Sequence, residues 1–131
     1  MFANSPMLRW RQYDQLYKLQ GNKCIACSKC YYPNAYVCTC GSRQLAPYIF
    51  AGTGTLLTFT QITVSPVVFE SMTPYCIGLV KLDDGPQVLG QIADVDIGDL
   101  KIGMKMQAQL RKLYVVGDEG TITYGIKFVC V

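Results

Sequence analysis

Five of the seven cysteines in this 131-residue chain fall within seventeen positions, in "CIACSKCYYPNAYVCTC" (24–40). Clustered sulfur serves disulfides, metal ions or redox exchange, and each implies a different task. The spacing is C-x2-C, ten residues, then C-x-C, using Cys24, Cys27, Cys38 and Cys40. Two sulfur pairs, each on a tight turn, are how a chain offers four thiolates to a tetrahedral Zn²⁺. A small module with almost no apolar core of its own gains its fold from such an ion. A redox C-x-x-C belongs at the start of a helix in a βαβ unit, whereas this one sits among turn residues. Four thiolates also close the site to water and substrate, so the expected zinc is structural, not catalytic. The alternatives are a redox pair and a vestigial ribbon that has lost its metal. The odd cysteine count argues against a complete disulfide framework. Cys30, three residues after Cys27, is a competing ligand, while Cys76 and Cys130 lie in strand-like segments where packing is the default role.

Composition narrows the chemistry further. The chain has no histidine, which removes the usual proton carrier of Ser-His and Cys-His catalysis. Half of the residues are hydrophobic and 16% are charged, enough for a packed core. The net charge of +3, without a block of like charges, falls short of a nucleic-acid signature. No apolar run approaches the roughly 20 residues of a membrane span, and the first residues lack an export-signal layout. The expected setting is cytoplasmic and reducing, where clustered cysteines more often hold metal than pair.

The elements that must position the cysteines follow from periodicity. Residues 5–20 read as an amphipathic helix, with Ser5 as cap, Pro6 in the first turn and Gly21 past the end. Residues 21–46 form the cysteine segment. From about residue 50 the pattern becomes strand-like, in "GTGTLLTFTQITV" (52–64), "YCIGLVKL" (75–82), "QVLGQIAD" (87–94), "MKMQAQLRKL" (104–113) and "TITYGIKFVCV" (121–131). "DDGP" makes one hairpin turn, with Gly suited to positive φ, and "GDEG" (117–120) makes another. Alternation predicts Met104, Met106, Ala108 and Leu110 on one inward face, and Ile122, Tyr124, Ile126, Phe128 and Cys130 on the next. "DVDIGDLKIG" (94–103) reads as a single helical turn started by Asp96 or Asp99. Five strands with this order match the OB-fold barrel, and Gly78, Gly90 and Gly125 suit its sharp bends or close approaches. The chain therefore reads as mainly β: an N-terminal helix (1–20), a rubredoxin-like zinc ribbon (21–46) and a five-stranded OB-fold barrel (47–131).

The motifs "GNKCIACSKCYYPNAYVCTCGS" (21–42), "GTGTLLTFTQI" (52–62), "PYCIGLVKLDDG" (74–85) and "LKIGMKM" (100–106), in this order, resemble the acyl-CoA-associated proteins that join a helix, a zinc ribbon and an OB-fold. The resemblance implies a subunit without catalytic activity that sits beside thiolases and related condensing enzymes. In archaea such proteins bridge acetoacetyl-CoA thiolase and hydroxymethylglutaryl-CoA synthase in the mevalonate route, so the resemblance implies those partners here. It also aligns Cys24, Cys27, Cys38 and Cys40 with the family's four zinc ligands. The chain departs from the family pattern in having Ser28 where glycine is usual, "PNA" (33–35) for a Pro-Pro-Arg-like stretch, and C-x-C for C-x2-C.

Two surfaces suit such a bridge. One is the helical stripe of Trp10, Tyr13 and Tyr17, which either packs on the next module or docks on a partner. The other is the apolar connector "VSPVVFESMTPY" (64–75), whose Val67, Val68 and Phe69 either plug the barrel end or form an exposed patch. Lys101, Lys105, Arg111 and Lys112 lie near one polar face, either as solvated charge or as contacts to coenzyme A phosphates. The rival function is RNA binding, which needs exposed aromatics in a basic groove; the second and third barrel strands offer only Tyr75 and Lys81.

Overall fold

The computed structural model describes residues 5–115, 120 and 122–131. They form one α-helix, α1 (Pro6–Lys18), and eight strands: β1 (Gln20–Cys24), β2 (Cys30–Tyr31), β3 (Leu45–Ile49), β4 (Thr53–Ile62), β5 (Tyr75–Leu82), β6 (Gln87–Ala93), β7 (Lys105–Val115) and β8 (Ile122–Cys130). Two compact units arise, Met1–Ala51 with Asp84–Pro86, and Gly52–Asp83 with Gln87–Val131.

In the first unit, Pro6 opens α1 and Ser5 holds the cap position in extended backbone, although its side chain makes no cap bond. The helix ends earlier than the predicted Gly21. Leu19 takes the left-handed conformation (φ 51°) and its N–H donates to the Asp14 carbonyl. Left-handed backbone costs a non-glycine residue about 1–2 kcal/mol. Leu19 is almost fully buried, and that burial contributes about 1.5–3 kcal/mol, enough to offset the strain. Gly21 lies instead inside β1, where a Cβ would fall 1.9 Å from the Tyr31 carbonyl oxygen.

A three-stranded sheet of order β2-β1-β3 follows. Ile25 N–H donates to Gln44 and Phe50 N–H to Leu19. Antiparallel alternation then turns the backbone groups of Leu45, Pro47 and Ile49 toward the outer edge. Pro47 has no N–H to offer there, which blunts the edge against pairing with another strand.

The second unit is a closed barrel of order β4-β5-β6-β8-β7, antiparallel except for the parallel β6–β8 pair. With a 3-10 turn at Ile97–Asp99 between β6 and β7, this is the OB-fold architecture. Leu56, Val80, Leu82, Met106 and Phe128 form its buried centre. Two strand glycines make room for it. A Cβ on Gly78 would meet Ile92 and Leu56 at 2.7 and 2.8 Å, and one on Gly90 would meet the Phe128 ring at 2.9 Å. Gly85 turns the β5–β6 hairpin at φ 121°.

The inward pattern expected for β7 and β8 stops halfway along both strands. Leu110, Ile122 and Tyr124 are exposed, whereas Gly125 and Val129 are buried. The reason is reach. Among the described residues, β4 pairs with β7 only at 105–107 and β6 with β8 only at 128–129, so the outer half of this hairpin has no interior to face. A bulge between Lys112 and Tyr114 then shifts the register, and Leu113 lies over Gly125. The two strands pair as the predicted hairpin, but its connector 117–119 lies outside the described residues.

Candidate metal centre

Two short turns carry the sulfurs. Cys24 ends β1, and its N–H donates to the Lys29 carbonyl while Ser28 N–H donates back to the Cys24 carbonyl. Around Cys38 the same exchange occurs one residue sooner: Cys38 N–H donates to Ser42, and Gly41 N–H donates to the Cys38 carbonyl. Each turn closes through a left-handed residue, Ser28 at φ 63° and Gly41 at φ 88°. The C-x-C half-site is thus the C-x2-C turn shortened by one position, with its left-handed residue moved to match.

The four Sγ atoms of Cys24, Cys27, Cys38 and Cys40 lie within 4.8 Å of one another. Cys24 and Cys40 are 3.8 Å apart, and Cys27 and Cys38 are 3.2 Å apart. Four thiolates about a zinc at 2.3 Å would stand about 3.8 Å from each other, so the donor set and spacing fit a tetrahedral ion. Two of the four, Cys24 and Cys38, are buried and two are exposed. Cys30 lies outside the group, with its thiol toward the Ser28 carbonyl.

Backbone dipoles already prepare the sulfurs for a cation. The Cys27 and Ala26 amides donate to Cys24 and hold its thiol below the usual range. The Cys40 amide, and after it the Tyr31 hydroxyl, lowers Cys38 to about 5. The hydrogen bond with Cys38 pushes Cys27 up to about 12. In the metal-free ribbon the shared hydrogen bond therefore favours the thiolate on Cys38 and the thiol on Cys27. Metal loading must expel that proton, because the ion takes thiolates. Affinity should then rise with pH, about tenfold per unit for each proton released. Calorimetric Zn²⁺ titrations between pH 6 and 8, in two buffers of different ionisation enthalpy, count the protons; a count of zero refutes the assignment.

Ser28 holds left-handed backbone at φ 63°, and its side chain is exposed. Relief of left-handed strain is worth about 1–2 kcal/mol, against an unfolded-state cost of about 0.4–1 kcal/mol for glycine. Ser28→Gly should stabilise the metal-loaded chain by roughly 0.5–1 kcal/mol, visible as a raised melting temperature.

Two residues that sequence reasoning did not single out organise this centre. Asn22 is buried, and its amide brackets Ala35 by donating to the carbonyl (2.6 Å) and accepting the N–H (3.2 Å), which fixes the segment between the half-sites. The Tyr31 hydroxyl stands 3.2 Å from Cys38 Sγ. Neither has a spacing signature, since each acts from a strand on the irregular segment that follows β2.

The other candidate residues are placed apart. Trp10 and Tyr13 are exposed on α1, Tyr17 is half-buried, and Tyr13 and Tyr17 stack at 4.7 Å. No described α1 residue is buried. In the second unit the apolar connector folds as a 3-10 turn, Val67–Met72, and divides its side chains. Phe69 packs on Tyr75 and Tyr114 at 5.8 and 5.4 Å, while Val67 is 85% exposed and Val68 is also exposed. Tyr75 is thereby engaged in packing, which weakens the RNA-stacking alternative. Lys105 pairs with Asp83 and Arg111 with Asp94, whereas Lys101 and Lys112 are exposed. Lys105 and Arg111 lie six residue steps apart on β7, about 20 Å of β-strand, so the four cations do not converge on one phosphate. Among the described residues no helix is long and apolar enough to cross a membrane.

The profile of the ChsH2 C-terminal OB-fold domain matches residues 50–111. A Pyrococcus furiosus protein named a DUF35 domain-containing scaffold protein is 37% identical over 120 residues, 91% of this chain and 88% of its own length. Proteins of the same name from Methanocaldococcus jannaschii and Methanothermobacter thermautotrophicus are 35% and 32% identical; each alignment covers 91% of this chain, and 86% and 91% of the relative. The solved Ltp2-ChsH2(DUF35) aldolase superposes with a TM-score of 0.73 at 22% identity, over 95% of this chain and 92% of that one, and so shares the fold. With identity above 30% across nine-tenths of its length, the chain belongs to the DUF35 domain-containing protein family.

Proposed function

We propose that this chain is a non-catalytic scaffold subunit that holds enzymes of acyl-CoA condensation together. The observation that carries the reading is α1, which exposes Met7, Trp10 and Tyr13 and buries none of its described residues. A helix of this length is marginal in water without packing, and an exposed aromatic face of this kind marks a partner surface. The sulfur cluster supports the same role, since four thiolates leave no coordination position for a substrate. The names of the relatives as scaffold proteins agree with it. The ion we assign to Cys24, Cys27, Cys38 and Cys40 is Zn²⁺, as support for the ribbon.

The finer reading is a bridge between a thiolase and a hydroxymethylglutaryl-CoA synthase in the cytoplasm, which the family resemblance supports. Its mechanism is positional: two active sites held close raise the effective concentration of the passed acetoacetyl-CoA. Val67 and Val68 supply a second contact, and Lys101 and Lys112 are the cations free to meet coenzyme A phosphates. The test is purification from native cells under mild conditions, with native mass measurement and identification of bound chains. A stable complex with both condensing enzymes is the expected result. A lone monomer, or a chain that carries RNA, overturns the proposal.

A further inference from the structure

The two half-sites do not supply their first sulfurs with equal numbers of hydrogen bonds from the backbone. Cys24 Sγ receives two amides, from Ala26 and Cys27, whereas Cys38 Sγ receives one, from Cys40. The shortened turn lacks a residue, and the one remaining candidate points elsewhere: Thr39 N–H donates to Tyr31 Oη at 3.1 Å. Tyr31 Oη in turn stands 3.2 Å from Cys38 Sγ. A phenol has one proton. The Thr39 amide uses its acceptor side, and Lys29 Nζ lies 3.4 Å from Thr39 Oγ1 as that hydroxyl's own donor. With the Thr39 hydroxyl donating across its 3.3 Å contact with Tyr31 Oη, the phenolic proton goes to the sulfur.

We propose that Tyr31 is a positioning residue for the metal centre, whose hydroxyl stands in for the backbone amide that the C-x-C turn lacks. Thr39 N–H reaches Cys38 through one phenol instead of directly. The sheet makes this possible, because β1 holds Tyr31 opposite Asn22 and so sets the ring beside the second turn. The inference rests on the reading of the cysteine cluster as a metal site.

The test uses the full chain loaded with Co²⁺ or Zn²⁺. Outer hydrogen bonds of this kind are worth about 10–100-fold in metal affinity. Tyr31→Phe should lose roughly tenfold or more against a competing chelator, and its sulfur-to-cobalt charge-transfer band should move to lower energy as the thiolate loses a donor. Incorporation of 3-fluorotyrosine at position 31 keeps the shape and strengthens the donor, so the band should move the opposite way. A purely structural role for the ring would not give opposite shifts. Tyr32→Phe, whose hydroxyl donates to the Gln15 carbonyl, is the control and should leave the band in place. An unmoved band in the fluorotyrosine protein overturns the inference even where Tyr31→Phe fails to fold. A wild-type chain with no sulfur-to-cobalt band at all sinks the metal reading, and this inference with it.

Discussion

Chelation of the metal should unfold residues 20–49 while the barrel strands stay folded. The expected asymmetry comes from what each unit buries. Among the described residues of the first unit the buried apolar side chains are Leu19 and Phe50, beyond the sulfurs of Cys24 and Cys38. Two such side chains contribute about 1.5–3 kcal/mol each. Structural zinc in modules of this kind contributes roughly 10–16 kcal/mol at neutral pH. The ion therefore outweighs the apolar core severalfold, and the ribbon has no other comparable source of stability. The second unit buries Leu56, Val80, Leu82, Val88, Ile92, Leu100, Met106, Phe128 and Val129 without any sulfur cluster. Residue-resolved NMR of the full chain reads the two separately. With chelator, amides of β1 to β3 should collapse to unfolded shifts, and those of β4 to β8 should hold their dispersion. Cys24→Ser should do the same without chelator, because Cys24 is both a proposed ligand and one of the few buried residues of its unit. Dispersed ribbon amides in the chelated chain would show that the cluster is not what holds the fold.

The same contrast explains which parts of the molecule the sequence declared. β5 runs from Tyr75 to Leu82, the limits set by its apolar alternation, because one face is buried along its length. Asp96 precedes the 3-10 turn as expected, and the two sulfur turns fall where C-x2-C and C-x-C put them. Local chemistry decides each of these. The failures are non-local. Leu19 ends α1 against its own backbone preference because burial wins. Leu110, Ile122 and Tyr124 obey strand alternation, yet alternation cannot report that the neighbouring strands stop short of them. Asn22 and Tyr31 matter through partners 13 and 7 residues away, Ala35 and Cys38. Nothing in the spacing of "CYYPN" distinguishes Tyr31, which serves the cluster, from Tyr32, which serves α1.

Alanine at both Trp10 and Tyr13 should dissolve the native assembly without loosening the chain. Trp10 is 69% exposed, and Tyr13 is exposed with its ring stacked on Tyr17. Exposed substitutions of this kind stay within about 0.5 kcal/mol of neutral for stability, and alanine slightly favours the helix. Binding is the opposite case. Trp and Tyr are the residue types that dominate interfaces, at about 2 kcal/mol or more each when truncated. Two such losses weaken association roughly a thousandfold. The measurement pairs a thermal melt of the metal-loaded variant with native mass analysis of the purified assembly. An unchanged melt with a dissociated complex is the expected pair of results. Val67→Asp makes the useful comparison, since its side chain is equally free in the second unit and the bridge reading requires it to release a different partner from the one α1 holds. If the double variant leaves the assembly intact, the aromatic face of α1 is not the docking surface, and the scaffold must grip its enzymes through the barrel.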